Sequence, residues 1–199
     1  MIVIGIGGGS GSGKTTVCQA LAASYPDQFE VLGLDNYQKA MNDPTIPRVD
    51  GMINWDHPSV VLWEDLRRDV LALKRGSKVR TMTWTHRSVA GVKEPRTLLP
   101  KPVVIVEGYL ALYTEAANIY DKKIYLQLDE DIRNVRRRQA RGDDDVESIG
   151  EVYRAKILKP MHDLYVEPTK HTADIIIDVQ GKSVDDVVRA IWDAVKVPS

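Results

Sequence analysis

A phosphate-binding loop is the first chemical feature of the sequence, in the run Gly8-Gly9-Ser10-Gly11-Ser12-Gly13-Lys14-Thr15. Its glycines let successive backbone N–H groups turn toward phosphate oxygens, and a helix predicted to begin near Gly13 adds the partial positive charge of its N-terminus. The ammonium of Lys14 can reach the β- and γ-phosphates, and the Thr15 hydroxyl can bind Mg²⁺. Thr16 completes the expected ATP contacts. A flexible glycine turn is the alternative, which the strand and helix predicted on either side disfavour.

Two carboxylates follow predicted strands and could act beside this loop. Glu107 comes directly after the apolar segment Val103–Val106, so it would lie at the carboxyl edge of the sheet, where Mg²⁺ is expected. Asp35 ends the second predicted strand. Phosphoryl transfer needs a carboxylate near the acceptor hydroxyl, so Asp35 is a candidate catalytic base. The alternatives are an ordinary strand-end acid for Glu107 and a turn cap for Asp35.

Strands and helices must alternate to bring these groups together. Short apolar segments rich in β-branched residues predict five strands, Ile2–Ile6, Phe29–Leu34, Val103–Val106, Lys123–Leu128 and Ala173–Val179. Helical patterns lie between and after them, at Lys14–Ser24, Pro58–Lys74, Asp131–Arg141, Val146–Val166 and Ser183–Val195. This alternation predicts an α/β fold with a parallel five-stranded sheet flanked by helices.

Two segments interrupt the alternation. Residues 36–57 are rich in proline, glycine and asparagine and read as a long loop. Residues 78–99 read as a β-hairpin, with Lys78–Trp84 returning through Arg96 to Leu99. Long connections in compact domains are often functional, and open α/β sheets bind ligands at their carboxyl edge. We therefore expect an acceptor-site insertion over about 36–99.

Composition limits the classes of protein to which the chain can belong. Its 199 residues are expected to form one domain, and its single cysteine, Cys18, allows no internal disulfide, which fits a reducing compartment. The formal net charge is −1, so bulk attraction to nucleic acid or to a membrane is not expected. No segment approaches the length of a membrane span. These features predict a cytoplasmic protein.

The ordered series of motifs resembles the uridine–cytidine kinases, within the phosphoribulokinase/uridine kinase superfamily of P-loop kinases. The resemblance covers nearly the whole chain, and a series in this order is far more specific than any one motif. It is carried by the phosphate loop, Asp35-Asn36-Tyr37, Asn54-Trp55-Asp56-His57-Pro58, Trp63-Glu64-Asp65-Leu66, His86, Val106-Glu107-Gly108, Arg136-Arg137, Arg141-Gly142, Lys159-Pro160-Met161-His162, Glu167-Pro168-Thr169-Lys170 and Ala173-Asp174-Ile175-Ile176-Ile177.

The resemblance implies roles on the acceptor side. Asp35 would be the base that activates a nucleoside 5′-hydroxyl, with Tyr37 beside the substrate. Asp56 would bind the ribose hydroxyls, which one carboxylate can do because it accepts several hydrogen bonds, and Trp55 would line the sugar pocket. The alternative for Asp56 is an acid at a helix N-terminus, since a helix is predicted from Pro58.

The base-recognition end departs from the family pattern. His86 matches a histidine that contacts the pyrimidine edge, although a lone histidine is more often structural. The family usually has a tyrosine several residues before it and an arginine two after it. Here Arg87 follows immediately and threonines and Met82 precede, so that Trp84 is the candidate aromatic surface. The departure leaves the identity of the base open, not the reaction.

A run of arginines precedes Gly142 and three aspartates. The resemblance implies a lid over about 133–146 that closes on the phosphates. Arg137 and Arg141 share a helix face, and both are expected to contact ATP, with Arg137 also reaching the substrate. A solvated basic helix is the alternative, and RNA contact is disfavoured by the adjacent acids.

The expected activity is therefore ATP-dependent phosphorylation of the 5′-hydroxyl of a pyrimidine ribonucleoside, with Mg²⁺ as cofactor. A kinase of the same superfamily acting on a different small alcohol is the nearest alternative. A non-enzymatic nucleotide switch and a nucleic-acid-binding NTPase are further alternatives, which Asp35, Asp56 and His86 disfavour. The resemblance also implies that homo-oligomers can form.

Overall fold

The computed structural model describes residues 1–84, 93–141 and 147–195. Its strands, in chain order, are β1 Ile2–Gly7, β2 Phe29–Gly33, β3 Arg48–Val49, β4 Met52–Ile53, β5 Val79–Trp84, β6 Lys93–Leu98, β7 Val103–Glu107, β8 Lys122–Gln127 and β9 Ile175–Asp178. Five of them form one parallel sheet in the order β2-β7-β1-β8-β9. The predicted parallel α/β fold is therefore confirmed.

The α-helices are α1 Lys14–Ser24, α2 Trp63–Lys74, α3 Glu130–Arg141, α4 Glu147–Tyr153, α5 Lys159–Met161 and α6 Val184–Val195. The helix predicted over Val146–Val166 is α4 and α5, joined and followed by the π-helical turns Arg154–Leu158 and His162–Val166, and it runs on into a 3₁₀ helix over Glu167–Thr172. Within the described ranges, no helix combines the length and apolar character needed to cross a bilayer.

The sheet is buried on both faces. Successive strand residues point to opposite sides, so Val3 packs into a cluster with Leu66 on α2, while Ile4 packs with Leu21 on α1 and Ile191 on α6. Burial on both sides explains why the strands read as continuous apolar runs instead of alternating ones.

The register brings the chemically active strand ends to one edge. Glu107, the last residue of β7, is paired with Ile6 of β1 on one side and with Gly33 of β2 on the other. The phosphate loop follows β1 directly, and Asp35 lies two residues past Gly33 in a 3₁₀ turn. Parallel strands thus deliver the loop, Glu107 and Asp35 to the same place.

Helix α2 begins later than its sequence pattern predicts. Only a 3₁₀ turn forms at Pro58, and Val61 is extended, with φ −86° and ψ 134°. The Val60 carbonyl accepts a 2.9 Å bond from the Lys39 amide, and the Leu62 amide donates a 2.8 Å bond to the Tyr37 carbonyl. These bonds to the preceding loop replace the bonds that a helix would have made.

The segment over about 36–99, predicted as an acceptor-site insertion, contains two hairpins. The predicted hairpin is confirmed, with β5 antiparallel to β6 and packed against the turn that carries Asp35. A second, short hairpin of β3 and β4 lies in the stretch predicted as a loop. Asp50 and Gly51 connect it with φ of 49° and 80°, which two-residue hairpin turns of this kind require. The Asp50-Gly51 pair is the feature of the sequence from which this hairpin could have been predicted.

Candidate active site

Lys14 lies at the centre of the phosphate loop. Gly13 precedes α1 with φ 93°, and the buried Lys14 ammonium donates to the carbonyls of Gly8 at 2.9 Å and Gly9 at 3.0 Å. Burial lowers the pKa of this ammonium, while the nearby carboxylates of Glu107 and Asp35 act to raise it. A phosphate entering the loop would meet this cation and the exposed N–H groups of the first helical turn.

The glycines of the loop are required by backbone shape and by close neighbours. Gly8 has φ 139°, and a Cβ there would lie 2.4 Å from the Leu126 carbonyl oxygen. Gly11 has φ 86°, and a Cβ there would lie 2.7 Å from the Arg133 carbonyl oxygen. The loop therefore fits between the end of β8 and the first turns of α3 only without side chains at these positions.

Thr15 and Glu107 meet as predicted from the sequence. The Thr15 hydroxyl lies 3.1 Å from each carboxylate oxygen of Glu107, to which it donates. Burial, reinforced by the charge of Asp35, raises the pKa of Glu107 to about 7, against the opposing effects of Lys14 and the Thr15 hydrogen bond. Asp35 therefore lies close enough to Lys14 and Glu107 for its charge to raise the pKa of both groups.

The donor set at Thr15 and Glu107 fits Mg²⁺. A hydroxyl and a carboxylate supply the hard oxygen ligands that this ion prefers, and Mg²⁺ at nucleotide sites usually takes only one or two protein ligands, with phosphates and water completing its shell. Over the described residues no cluster of three or more His, Cys, Asp or Glu side chains could form a closed cage. Both residues would therefore hold an ion that arrives with the nucleotide.

A cleft of about 350 Å³ joins the loop to the predicted acceptor residues. This volume is in the range of small-ligand pockets. Its lining residues are Ser10, Gly11, Gly13, Lys14, Thr15, Thr16, Leu34, Asp35, Gln38, Trp55, Asp56, Val61, Glu107, Gly108, Tyr109 and Leu110. The predicted donor and acceptor groups therefore face one another across a single space. Gln38 and Tyr109 were not predicted, although each lies within three residues of a predicted carboxylate.

Asp56 is held by a helix distant in sequence. The Tyr153 hydroxyl, at the end of α4, donates a 2.8 Å hydrogen bond to Oδ2 of Asp56 and accepts a 3.2 Å bond from the Trp55 amide. The buried Asn54 accepts a 3.2 Å bond from the Asp56 amide through its side-chain oxygen. Nothing in the local sequence pointed to Tyr153, because its partners lie about a hundred residues away.

Tyr37 lies in the core and does not line the cleft. Its side chain is 4% exposed, and its hydroxyl donates a 3.0 Å hydrogen bond to Oδ2 of Asp69 on α2. Burial, followed by the charge of Asp69, raises its pKa well above the ordinary value. Tyr37, which the sequence analysis places beside the substrate, is thus the buried last residue of the 3₁₀ turn that carries Asp35.

A second cavity, of about 460 Å³, lies on the other side of the loop. Arg136 and Arg137 line it together with Gly13 and the valines Val179, Val184 and Val187. A Cβ placed on Gly11 would lie 3.1 Å from Cγ of Arg137, which puts this arginine against the loop. Its contact with ATP stays a prediction.

Other predicted site residues lie at or beyond the limits of the described chain. His86 falls outside the described residues, as does the part of the predicted lid over 142–146. Trp84 ends β5 and Arg141 ends α3, and their side chains are likewise outside the description.

The fold and the cleft together define a P-loop phosphotransferase. Residues 3–185 match the Phosphoribulokinase / Uridine kinase family. The chain is 35% identical to a uridine kinase of Halobacterium salinarum over 187 residues, which cover 91% of this chain and 81% of that protein. It is 36% identical to a uridine kinase of Deinococcus deserti over 186 residues, covering 90% and 88%.

The fold is also similar to that of the phosphoribulokinase from Rhodobacter spheroides. The TM-score is 0.63 at 15% identity, over 89% of this chain and 69% of that one. The match to the family model and the sequence identities above are stronger evidence of kinship than a shared fold alone. The chain therefore belongs to the phosphoribulokinase/uridine kinase family, and it is a nucleotide-binding kinase.

Proposed function

We propose that this chain transfers the γ-phosphoryl group of ATP to the 5′-hydroxyl of a pyrimidine ribonucleoside, uridine or cytidine. The products are the nucleoside monophosphate and ADP. The observation that carries the proposal is the cleft of about 350 Å³ that Lys14, Thr15, Asp35 and Asp56 share. The relatives at 35% and 36% identity, both uridine kinases, support the choice of acceptor.

On the donor side, the loop amides and Lys14 bind the β- and γ-phosphates. Thr15 and Glu107 would hold Mg²⁺, which when bound neutralises charge on the phosphate oxygens. The cavity of about 460 Å³ beside Gly13 suits the ATP nucleobase, because valines form one wall and Arg136 and Arg137 another. Arg137 and Arg141 would neutralise charge on the transferred group from the lid.

On the acceptor side, Asp35 accepts the proton of the 5′-hydroxyl while that oxygen forms its bond to the γ-phosphorus. The bond from the γ-phosphorus to the bridging oxygen breaks, and ADP leaves with that electron pair. Asp56 accepts hydrogen bonds from the vicinal 2′- and 3′-hydroxyls, and Trp55 packs along the sugar. Trp84 and His86 are the proposed contacts of the base. Most of the rate enhancement would come from positioning and charge neutralisation.

The test is a panel of acceptors assayed for ATP consumption and for the phosphorylated product. Uridine and cytidine should be phosphorylated, and 5′-deoxyuridine should not. 2′-Deoxyuridine should react with a raised KM, because it lacks one of the two hydroxyls that would donate hydrogen bonds to Asp56. Phosphorylation of 5′-deoxyuridine would place the reacting hydroxyl elsewhere on the sugar. No turnover of either ribonucleoside, with turnover of another alcohol, would overturn the acceptor assignment.

A kinase acting on a different small alcohol is the second candidate. The unusual residues around His86 favour it, because the base-contacting stretch departs from the family pattern while the phosphate loop does not. The same panel separates the two candidates when it includes purine nucleosides and simple sugars.

A further inference from the structure

The guanidinium of Arg133 lies close to Gly9 in the phosphate loop. A Cβ built on Gly9 would lie 2.3 Å from Nη1, 2.6 Å from Cζ and 2.9 Å from Nε of Arg133. Gly9 is not among the glycines with a positive φ, so its backbone shape would accept a side chain. A side chain at position 9 would therefore have to displace the Arg133 guanidinium.

Gly9 matters to the site because its carbonyl accepts two hydrogen bonds. One comes from the Lys14 ammonium at 3.0 Å and the other from the Ser12 amide at 3.1 Å. A shift of the Gly9 peptide would therefore move the loop turn and the lysine together. Arg133 packs against this peptide, and the residue is only 8% exposed.

Polar contacts with neighbouring residues hold the Arg133 side chain in place. Its Nε donates a 3.1 Å hydrogen bond to the Leu128 carbonyl, and its Nη2 lies 3.3 Å from Nε2 of His162. The same Nε2 lies 3.4 Å from Oε2 of Glu167, which accepts a 2.9 Å hydrogen bond from the Tyr125 hydroxyl on β8. A connected set of polar groups thus runs from the sheet to Gly9.

We propose that Arg133 is a positioning residue of the phosphate loop, and that a neutral His162 keeps its guanidinium against Gly9. A guanidinium only donates hydrogen bonds, so its contact with Nε2 of His162 is attractive when that nitrogen is an unprotonated acceptor. This assigns the ring proton to Nδ1, a buried atom that has no hydrogen-bond partner among the described residues. A proton added at Nε2 would face the N–H groups of Arg133 and would be attracted to Oε2 of Glu167, 3.4 Å away, so the contact with Arg133 would be lost. The inference rests on the proposed nucleotide-binding role of the loop and concerns how that loop is kept in shape.

Burial favours the neutral form of His162 by lowering the pKa of its ring. Burial, and then the charge of Arg133, lower the pKa of the ring, while Glu167, Asp163 and Glu130 oppose that shift. A cavity of about 340 Å³, lined by Gly9, Arg133, His162 and Glu167 among others, adjoins the cluster and gives protons a route to the ring. Acidification below the lowered pKa should therefore loosen the loop.

A double-mutant cycle tests the contact between Arg133 and Gly9. The measured quantity is the Kd of Mg²⁺ with a non-hydrolysable ATP analogue, by calorimetry. Gly9→Ala and Arg133→Ala should each raise Kd by about tenfold or more, and the double variant should be no worse than the weaker-binding single variant. Arg133→Lys should restore part of the loss. Multiplying effects in the double variant, or an unchanged Kd in Arg133→Ala, would overturn the proposal.

A milder variant tests the role of His162 without emptying the core. His162→Gln keeps an acceptor near Arg133 but does not titrate. Between pH 7.5 and 5.5 the analogue should lose affinity more steeply with the wild-type protein than with this variant, since titration of the analogue affects both equally. Parallel pH profiles would contradict the inference. A wild-type protein that bound no nucleotide at all would refute the proposed function instead, so the two failures are distinguishable.

Discussion

The Tyr153 hydroxyl donates a 2.8 Å hydrogen bond to the Asp56 carboxylate, although the two residues are 97 positions apart. The helix that follows the predicted lid is therefore in direct contact with the carboxylate proposed to bind the acceptor. Because Tyr153 also accepts a bond from the Trp55 amide, it fixes both the side chain and the backbone of this loop. Helix α4 and the loop that carries Trp55 and Asp56 are thus joined by the Tyr153 hydroxyl.

Tyr153→Phe should raise the acceptor KM by about fivefold, the effect of roughly 1 kcal/mol at a partly buried hydrogen bond, and leave the KM for ATP unchanged. Steady-state kinetics with each substrate varied in turn measure both values. Tyr165→Phe is the matched control, because its hydroxyl lies 3.5 Å from Nε2 of His57. An equal change in both KM values would contradict the expected role.

Asp35→Asn should lower kcat by roughly 10²–10⁴-fold, the usual contribution of general-base catalysis, because the amide cannot accept the hydroxyl proton. ATP binding, followed by calorimetry, should persist, since the phosphates are bound by the loop and Lys14. A turnover close to that of the wild type would exclude Asp35 as the base.

Tyr37→Phe should act on stability and not on acceptor binding. The variant loses the buried 3.0 Å hydrogen bond to Asp69, so the free energy of unfolding should fall by about 1–2 kcal/mol in urea denaturation. Tyr120→Phe is the control, because that buried hydroxyl has no hydrogen-bond partner among the residues that the structure describes. A raised acceptor KM without a loss of stability in Tyr37→Phe would restore the sequence-based role of Tyr37 beside the substrate.

The start of α6 offers a prediction about pH. The Ser183 hydroxyl accepts a 3.1 Å bond from the Asp186 amide and donates to the Asp186 carboxylate at 2.6 Å. These bonds, with Arg189, lower the pKa of Asp186 to about 2. A lowered carboxyl pKa stabilises the folded state above the ordinary pKa near 3.8, and this contribution is lost as the pH falls through about 2.

Ser183→Ala should therefore reduce the free energy of unfolding by about 1 kcal/mol at pH 7, as loss of a helix cap does, and raise the pKa of Asp186. Urea denaturation and a carboxyl NMR titration measure the two effects. Ser77→Ala, an exposed serine after the end of α2, should leave both nearly unchanged. An unaltered pKa of Asp186 in Ser183→Ala would show that the serine is not its main partner.

The parts of the molecule that could be predicted from sequence are those set by local rules. The sheet follows from strands buried on both faces, and the phosphate loop follows from glycine spacing before a helix. Asp35 and Glu107 were expected together because parallel strands end at one edge, and both line the same cleft. Their chemical roles remain predictions.

The features that could not be predicted from sequence depend on contacts between residues that lie far apart in the chain. Tyr37 points into the core because Asp69, 32 residues later, accepts its hydrogen bond. The late start of α2 results from bonds to Tyr37 and Lys39 that compete with helix formation. The steric requirement for Gly9 depends on Arg133, which no local pattern reveals. In each case the deciding partner lies on another element.

The β5–β6 hairpin is fastened to the sheet through a buried carboxylate. Glu30 on β2 accepts a 2.9 Å bond from the Leu99 amide and pairs with Arg96, and β2 is the edge strand farthest from β8 and β9. The hairpin thus has its own attachment point, separate from the loop that binds phosphate.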